Sequence, residues 1–208
     1  MPELSYSRGH FSPTVTTWVE NPRGGRARGP RGLARAWVEV MIRPRRFFST
    51  GVAPGDQAAG LAFGVLVTLV SLAADVALGA RAVPAFTESR ALSTLLLFAL
   101  VGIFVAPAVL HLVAALQTLV LVVLVRDRAG VSETVQVLAY AVAPAVFAGG
   151  GADVLALGAT LYGSVLLAVG LAVVHETDLV RGSLAAAPAA ALVFGYGFGG
   201  FAALTALL

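Results

Sequence analysis

From Ala91 to Val125 the chain carries no charged residue, and its only strongly polar members are His111 and Gln117. As one helix this run would be about 52 Å long, against a hydrocarbon core of about 30 Å. Water does not tolerate such a surface, so the bilayer is its solvent. The remaining apolar runs follow the same logic. The chain is 58% hydrophobic and 12% charged, where a soluble domain carries roughly 25% charged residues. The fold class that follows is all-α: a polytopic membrane helix bundle of five transmembrane helices, preceded by an interfacial amphipathic helix.

Two paths suit the long run: a single crossing, tilted or kinked at Pro107, or a hairpin that turns back at Ala106-Pro107. Arginine placement separates them. All basic residues are Arg, and nine of the 14 lie before residue 50. With the N-terminus inside, a single crossing leaves twelve arginines inside against two outside, Arg81 and Arg90. A hairpin gives nine against five. The positive-inside rule selects the single crossing, and the hairpin would also lack polar residues at its tip.

Residues 1–31 are rich in Gly, Pro, Ser, Thr and Arg. They hold too little apolar area to offset chain entropy and are expected to form a disordered cytoplasmic tail. No apolar core follows the first residues, so a secretory signal is not expected. Residues 32–55 are expected to hold the amphipathic helix and a linker. Leu33, Trp37, Val40 and Met41 recur at helical spacing, which suits a helix in the headgroup layer. Pro44 bends or ends it. Phe47 and Phe48 are then expected to dip toward the acyl chains while Arg43, Arg45 and Arg46 meet lipid phosphates. Residues 56–208 form the membrane domain, with spans at about 57–79, 91–125, 133–148, 154–174 and 183–208. Asp56, Ser132 and Asp153 are expected N-caps. Gly60-x-x-x-Gly64 offers close approach to a neighbouring helix, as do Gly158, Gly163 and Gly170 in the fourth span. The C-terminus is expected outside.

Ionisable and polar residues within spans are the candidate sites. Asp75 lies a turn before the end of span one, where its carboxylate reaches the interface, a structural role. His111 is deep in span two. A lone imidazole is a poor metal site, so a neutral His111 bonded inside the bundle to Tyr140 or Gln136 is expected, with a proton relay as the alternative. Glu133, Gln136 and Tyr140 share one face of the third helix. They are read either as packing, with Tyr140 as anchor and Pro144 shaping the helix end, or as a recognition surface together with Arg126 and Arg128. The run His175-Glu176-x-Asp178 lacks metal-site spacing and is read as capping. No phosphate loop, paired catalytic carboxylates or nucleophile motif is present. The absence of cysteine removes disulfides and thiolate chemistry. No cofactor and no metal is expected.

Four segments carry a resemblance. Met41-Ile-Arg-Pro44-Arg-Arg-Phe47-Phe48 is similar to a Pro-x-x-Phe-Phe motif before a first span. Ala108-Val-Leu-His111 is similar to a His-containing second span. Glu133-Thr134 through Tyr140 and Pro144 is similar to Thr-x-x-Val/Leu-x-x-Tyr-x-x-x-Pro. Gly170 to His175-Glu176, with Arg181-Gly-Ser, is similar to the end of a fourth span and the start of a fifth. Together they make the chain resemble the Yip domain family, five-span membrane proteins first known as interactors of Ypt/Rab GTPases. Arg126-Asp-Arg-Ala-Gly130 departs from the Gly-Gly turn frequent in relatives.

The resemblance implies a non-enzymatic membrane protein that recruits or organises partners. In eukaryotic relatives these include prenylated GTPases and coat-associated factors, for which this sequence shows no recognition feature. The expected function is a membrane scaffold of Yip type at the cytoplasmic face, in the cell membrane; the alternative is a small permease or transporter subunit. Expected partners are anionic lipid headgroups and a membrane or cytoplasmic protein, with a homo-oligomer left open and no nucleic acid.

Overall fold

The computed structural model describes residues 17–20 and 26–208. Thr17–Glu20 (β1) and Arg26–Arg28 (β2) pair antiparallel. Eight helices follow: α1 (Gly29–Ile42), α2 (Pro44–Gly51), α3 (Gln57–Ala77), α4 (Arg90–Leu124), α5 (Val131–Phe147), α6 (Asp153–Val174), α7 (Leu179–Gly197) and α8 (Gly200–Leu207). Helices α3, α4, α6 and α7 are long and apolar enough to cross a membrane, and α5 is a shorter apolar helix. The chain is thus a polytopic helical membrane bundle.

The bundle is built around its short apolar helix, α5. From Thr134 to Ala145 every residue of α5 is buried. The helix is α-helical to Ala141 and finishes as a 3-10 turn over Ala143–Phe147. Pro144 enforces that change: it has no N–H for the α-helical bond and its ring crowds the preceding turn. Helix α3 reaches α5 through Gly60 and Gly64. A Cβ on Gly60 would stand 3.0 Å from the Gln136 Cα, and one on Gly64 would meet Ala139 at 3.2 Å. Lipid tails are as apolar as side chains, so such helices associate through close packing and hydrogen bonds rather than hydrophobic burial. Helix α6 closes the other side, with Gly163 under the Phe194 ring and Gly170 under Val137 and Phe48. Gly158, expected to be a third packing point, faces open space.

Helix α4 is continuous and is the least buried of the four long helices. The expected kink takes the form of a π turn over Val101–Val105, in which the Ala106 N–H bonds the Val101 carbonyl. Pro107 accounts for it, because it cannot donate to the Ile103 carbonyl and its ring displaces that oxygen. The last span differs from expectation. It begins earlier, at Leu179, passes Pro188, and widens into a π turn over Ala191–Gly197. It then breaks at Gly199, whose φ of +76° is left-handed backbone that glycine adopts without strain. Helix α8 is therefore a separate element packed against α6, with Gly200 directly beneath Thr160.

Two of the three expected caps shift. Asp56 occupies the N-cap of α3. Helix α5, however, starts from Gly130 rather than Ser132, and α6 from Ala152, with Asp153 in its first turn. Within the segment expected to be a disordered tail, β1 and β2 form an ordered pair, with Trp18 and Val19 buried. The rest of residues 1–28 lies outside the described residues.

Candidate functional site

The starts of α3 and α5 and the end of α6 come together at one pole of the bundle, where α2 also packs; we call this the arginine end. Helices α1 and α2 meet at Arg43-Pro44, as expected from the proline. Their apolar faces turn to protein. Phe47 and Phe48 are fully buried. Phe47 sits edge-on to Tyr140 with ring centroids 4.8 Å apart, and Phe63 lies against the other part of the Tyr140 ring at 5.1 Å. Phe48 is edge-on to Phe47 at 5.6 Å. The expectation that Phe47 and Phe48 dip into acyl chains is corrected: the Pro-x-x-Phe-Phe segment plugs the core. An amphipathic pattern states that one face is apolar. It does not state whether lipid or protein will cover that face.

The amphipathic helix α1 is likewise docked rather than free on its apolar side. Trp37 Nε1 donates to the Ala143 carbonyl at 2.9 Å, on the 3-10 turn that Pro144 creates. The Tyr162 hydroxyl, near the middle of α6, donates to the Met41 carbonyl at the end of α1. The Trp37 ring also leans on Phe147, 5.9 Å away. Arg35 and Glu39 neutralise each other across one turn at 2.7 Å. Arg43, Arg45 and Arg46 are exposed, so the segment divides into a buried aromatic plug and an outward arginine row.

Gln136 adds the strongest polar tie. Its Oε1 accepts from the Ala53 N–H at 3.0 Å and its Nε2 donates to the Ala53 carbonyl at 2.7 Å. One side chain thus satisfies both backbone groups of a residue in the turn between α2 and α3, which would otherwise be orphaned. Glu133 is half-buried at the first turn of α5. With Glu176, Ser49 and Ala129 it lines a shallow pocket of about 300 Å³ at this end. Thr134 is buried beneath it, bonding the Gly130 carbonyl and approaching His175 Nε2 at 3.4 Å. The face of Glu133, Gln136 and Tyr140 is therefore largely interior, and packing is what its last two members do.

The run that contains His175 reads from the sequence as capping, and the structure takes its imidazole into the interior. It is buried at the C-cap of α6. Burial lowers its pKa to about 4, and the nearby Arg128 guanidinium acts in the same direction, so the imidazole is neutral. Asp178 caps α7: the Arg181 N–H donates to its carboxylate at 2.9 Å, and that bond lowers its pKa. Among the described residues no group of three or more His, Cys, Asp or Glu is placed to hold a metal ion.

His111 is not where it was expected. It is exposed on the outer surface of α4, and its Nδ1 lies 2.7 Å from the Pro107 carbonyl of its own helix. The interior polar contact on α4 belongs instead to Gln117, which donates to the Ala185 carbonyl of α7. Asp75 behaves as expected for a structural residue. It accepts from the Gly150 N–H at 2.9 Å and pairs with Arg81 at 3.4 Å.

The short helix plugged by Phe47 and Phe48 and closed by Tyr140 and Pro144 lies within a known domain: the Yip1 domain model matches residues 38–201. The chain belongs to the Yip1 domain family. No curated protein and no solved structure matches it. The family match starts within α1 and ends at the second residue of α8, so it takes in the last turn of the docked helix, the plug and every long helix. The paired strands β1 and β2 precede it. Membership makes this a multi-pass membrane protein of Yip type.

Proposed function

We propose that this Yip1 domain protein is a non-enzymatic membrane scaffold whose arginine end faces the cytoplasm and recruits partners there. The observation that carries this reading is the division of one segment: Phe47 and Phe48 are locked into the core while Arg43, Arg45 and Arg46 stay exposed. The arginines are thus displayed on a rigid mount. Each contributes about 1 kcal/mol near an anionic surface, and the contribution is screened by salt. Beside them, the pocket lined by Glu133 and Glu176 offers carboxylates to a basic side chain of a partner. The exposed position of His111 on the outer surface of α4 gives no support to a permease route built on that residue.

Removing residues before Gly51 would strip the plug from the core and test folding instead of recruitment. The better variant is the triple change Arg43→Gln, Arg45→Gln, Arg46→Gln. Purified in detergent, it should match the native melting temperature but retain several-fold less anionic lipid and lose captured cytoplasmic proteins. Unchanged lipid retention and capture would remove the proposal. Orientation has its own test, since the chain has no cysteine. A membrane-impermeant thiol reagent should label Arg81→Cys from outside intact cells and Arg45→Cys only in inverted vesicles. The reverse pattern would overturn the cytoplasmic assignment.

A further inference from the structure

The pole opposite the arginine end holds a cavity of about 460 Å³, within the size range of small-molecule sites. Its lining has an order. Asp75 at the end of α3, Arg81 in the loop that follows it, and Asp153 at the start of α6 mark the mouth. Ser71 and Thr68 continue inward along α3 toward the middle of the span. The walls are apolar and include Leu72, Val101 and Val105. Both π turns of the bundle border it, one through Val101 and Val105, the other through Tyr196 and Gly197.

Three observations bear on what enters. First, π turns in membrane helices leave backbone irregular, which is tolerated where protein covers it or where it lines a cavity. Two such turns on separate helices face one space. Second, Val105 and Tyr196 line the cavity and are also exposed, at 43% and 75%. Both belong to membrane-spanning helices, so the space opens sideways toward lipid as well as toward the loop. Third, the mouth bears both signs of charge. Asp75 is engaged by Gly150 and Arg81. The Arg81 side chain contacts Asp75 through Nε at 3.4 Å and remains 56% exposed, so its guanidinium is accessible to a further anion. Asp153 is exposed at the head of α6 and forms no salt bridge among the described residues.

We propose that this cavity binds an amine-bearing zwitterionic phospholipid. The phosphate is held by Arg81, the primary ammonium by Asp153, and one acyl chain lies between the two π turns. A guanidinium suits phosphate oxygens. A carboxylate accepts charge-assisted hydrogen bonds from a primary ammonium, and a quaternary choline has no N–H to give. The hydroxyls of Ser71 and Thr68 lie where the ester region of such a lipid would pass.

The test uses the full chain purified in detergent and challenged with equal amounts of dioleoyl phosphatidylethanolamine, phosphatidylcholine and phosphatidylglycerol, with bound lipid read by native mass spectrometry. The ethanolamine lipid should be retained at about one per chain and roughly tenfold over the other two, the weight of one charge-assisted contact. Asp153→Asn should erase that preference without changing the retention of phosphatidylglycerol. Arg81→Gln should weaken all three, and Ser71→Leu, which fills the space, should abolish retention at an unchanged melting temperature. Equal retention of the three lipids by the native chain overturns the proposal, as does a preference that survives both Asp153→Asn and Ser71→Leu. Water-soluble phosphoethanolamine is the final arm. Should it bind as tightly as the lipid, the headgroup chemistry stands but the ligand is a free solute, and the lipid assignment falls.

Discussion

The two poles of the bundle solve the same problem in opposite ways. From the arginine end to the middle of the bundle, polar groups are tied across elements: Gln136 to Ala53, Trp37 to Ala143, Tyr162 to Met41. Aromatic rings fill what remains. At the far end the helices widen into π turns, a glycine breaks the last span, and charges and hydroxyls surround open space. In a membrane, apolar side chains gain little from leaving lipid for protein. Order must come from close contact and satisfied backbone groups. The contrast teaches that this chain concentrates its cross-element ties where α1 and α2 dock and leaves open space at the far pole.

Deleting an aromatic ring at each pole is the sharpest way to break the comparison. Tyr140→Ala removes a fully buried ring held by Phe47 and Phe63. It should cost about 3–5 kcal/mol, the range for large aromatic deletions in packed cores. Tyr196→Ala removes a ring that is 75% exposed and should cost under about 1 kcal/mol. Equal losses in reversible detergent-denaturant titrations would erase the distinction between the poles.

Acid gives the next largest effect. His175 is neutral in the folded chain because burial lowers its pKa to about 4 from an ordinary 6.5. Between those values the unfolded chain binds a proton that the folded chain does not. The stability due to this site is therefore whole above pH 6.5, falls as pH drops through the window, and is gone below pH 4. The full loss is of the order of 3 kcal/mol. His175→Gln should flatten that part of the stability-against-pH curve; an unchanged slope would assign the acid sensitivity elsewhere.

The smallest contrast sets two polar residues side by side. Gln136→Leu orphans the N–H and carbonyl of Ala53 and should cost about 2 kcal/mol. His111→Leu loses a bond within its own helix on an exposed face and should stay within about 0.5 kcal/mol. A larger loss for His111→Leu than for Gln136→Leu would mean that α4 meets another protein surface where it now faces outward.

How much of this was legible in the sequence depends on what encodes it. The single crossing of α4 was readable from arginine placement, because charge next to a span governs how it inserts. The short third helix was readable from Pro144, whose missing N–H is a local fact. The Gly60-x-x-x-Gly64 contact followed from steric room. Facing was not readable. Helix α4 is apolar on nearly every side, so nothing in its pattern says that Gln117 points inward and His111 outward. The same limit explains Phe47 and Phe48: lipid and protein interior ask for the same side chains, and only tertiary contacts separate them. The burial of His175 was not readable, because a histidine ending a span reads as a capping or loop residue until Thr134 is found beside it. The cavity was hidden for another reason, since its walls come from helices far apart in the chain.

One consequence concerns how the molecule is made. A segment sheathed by its siblings along almost its whole length, as Thr134–Ala145 is, meets protein rather than lipid in the finished molecule. Its berth exists only after α6 has been synthesised, since Val137 rests on Gly170. The contacts of this helix are therefore completed only once the later half of the polypeptide has been made.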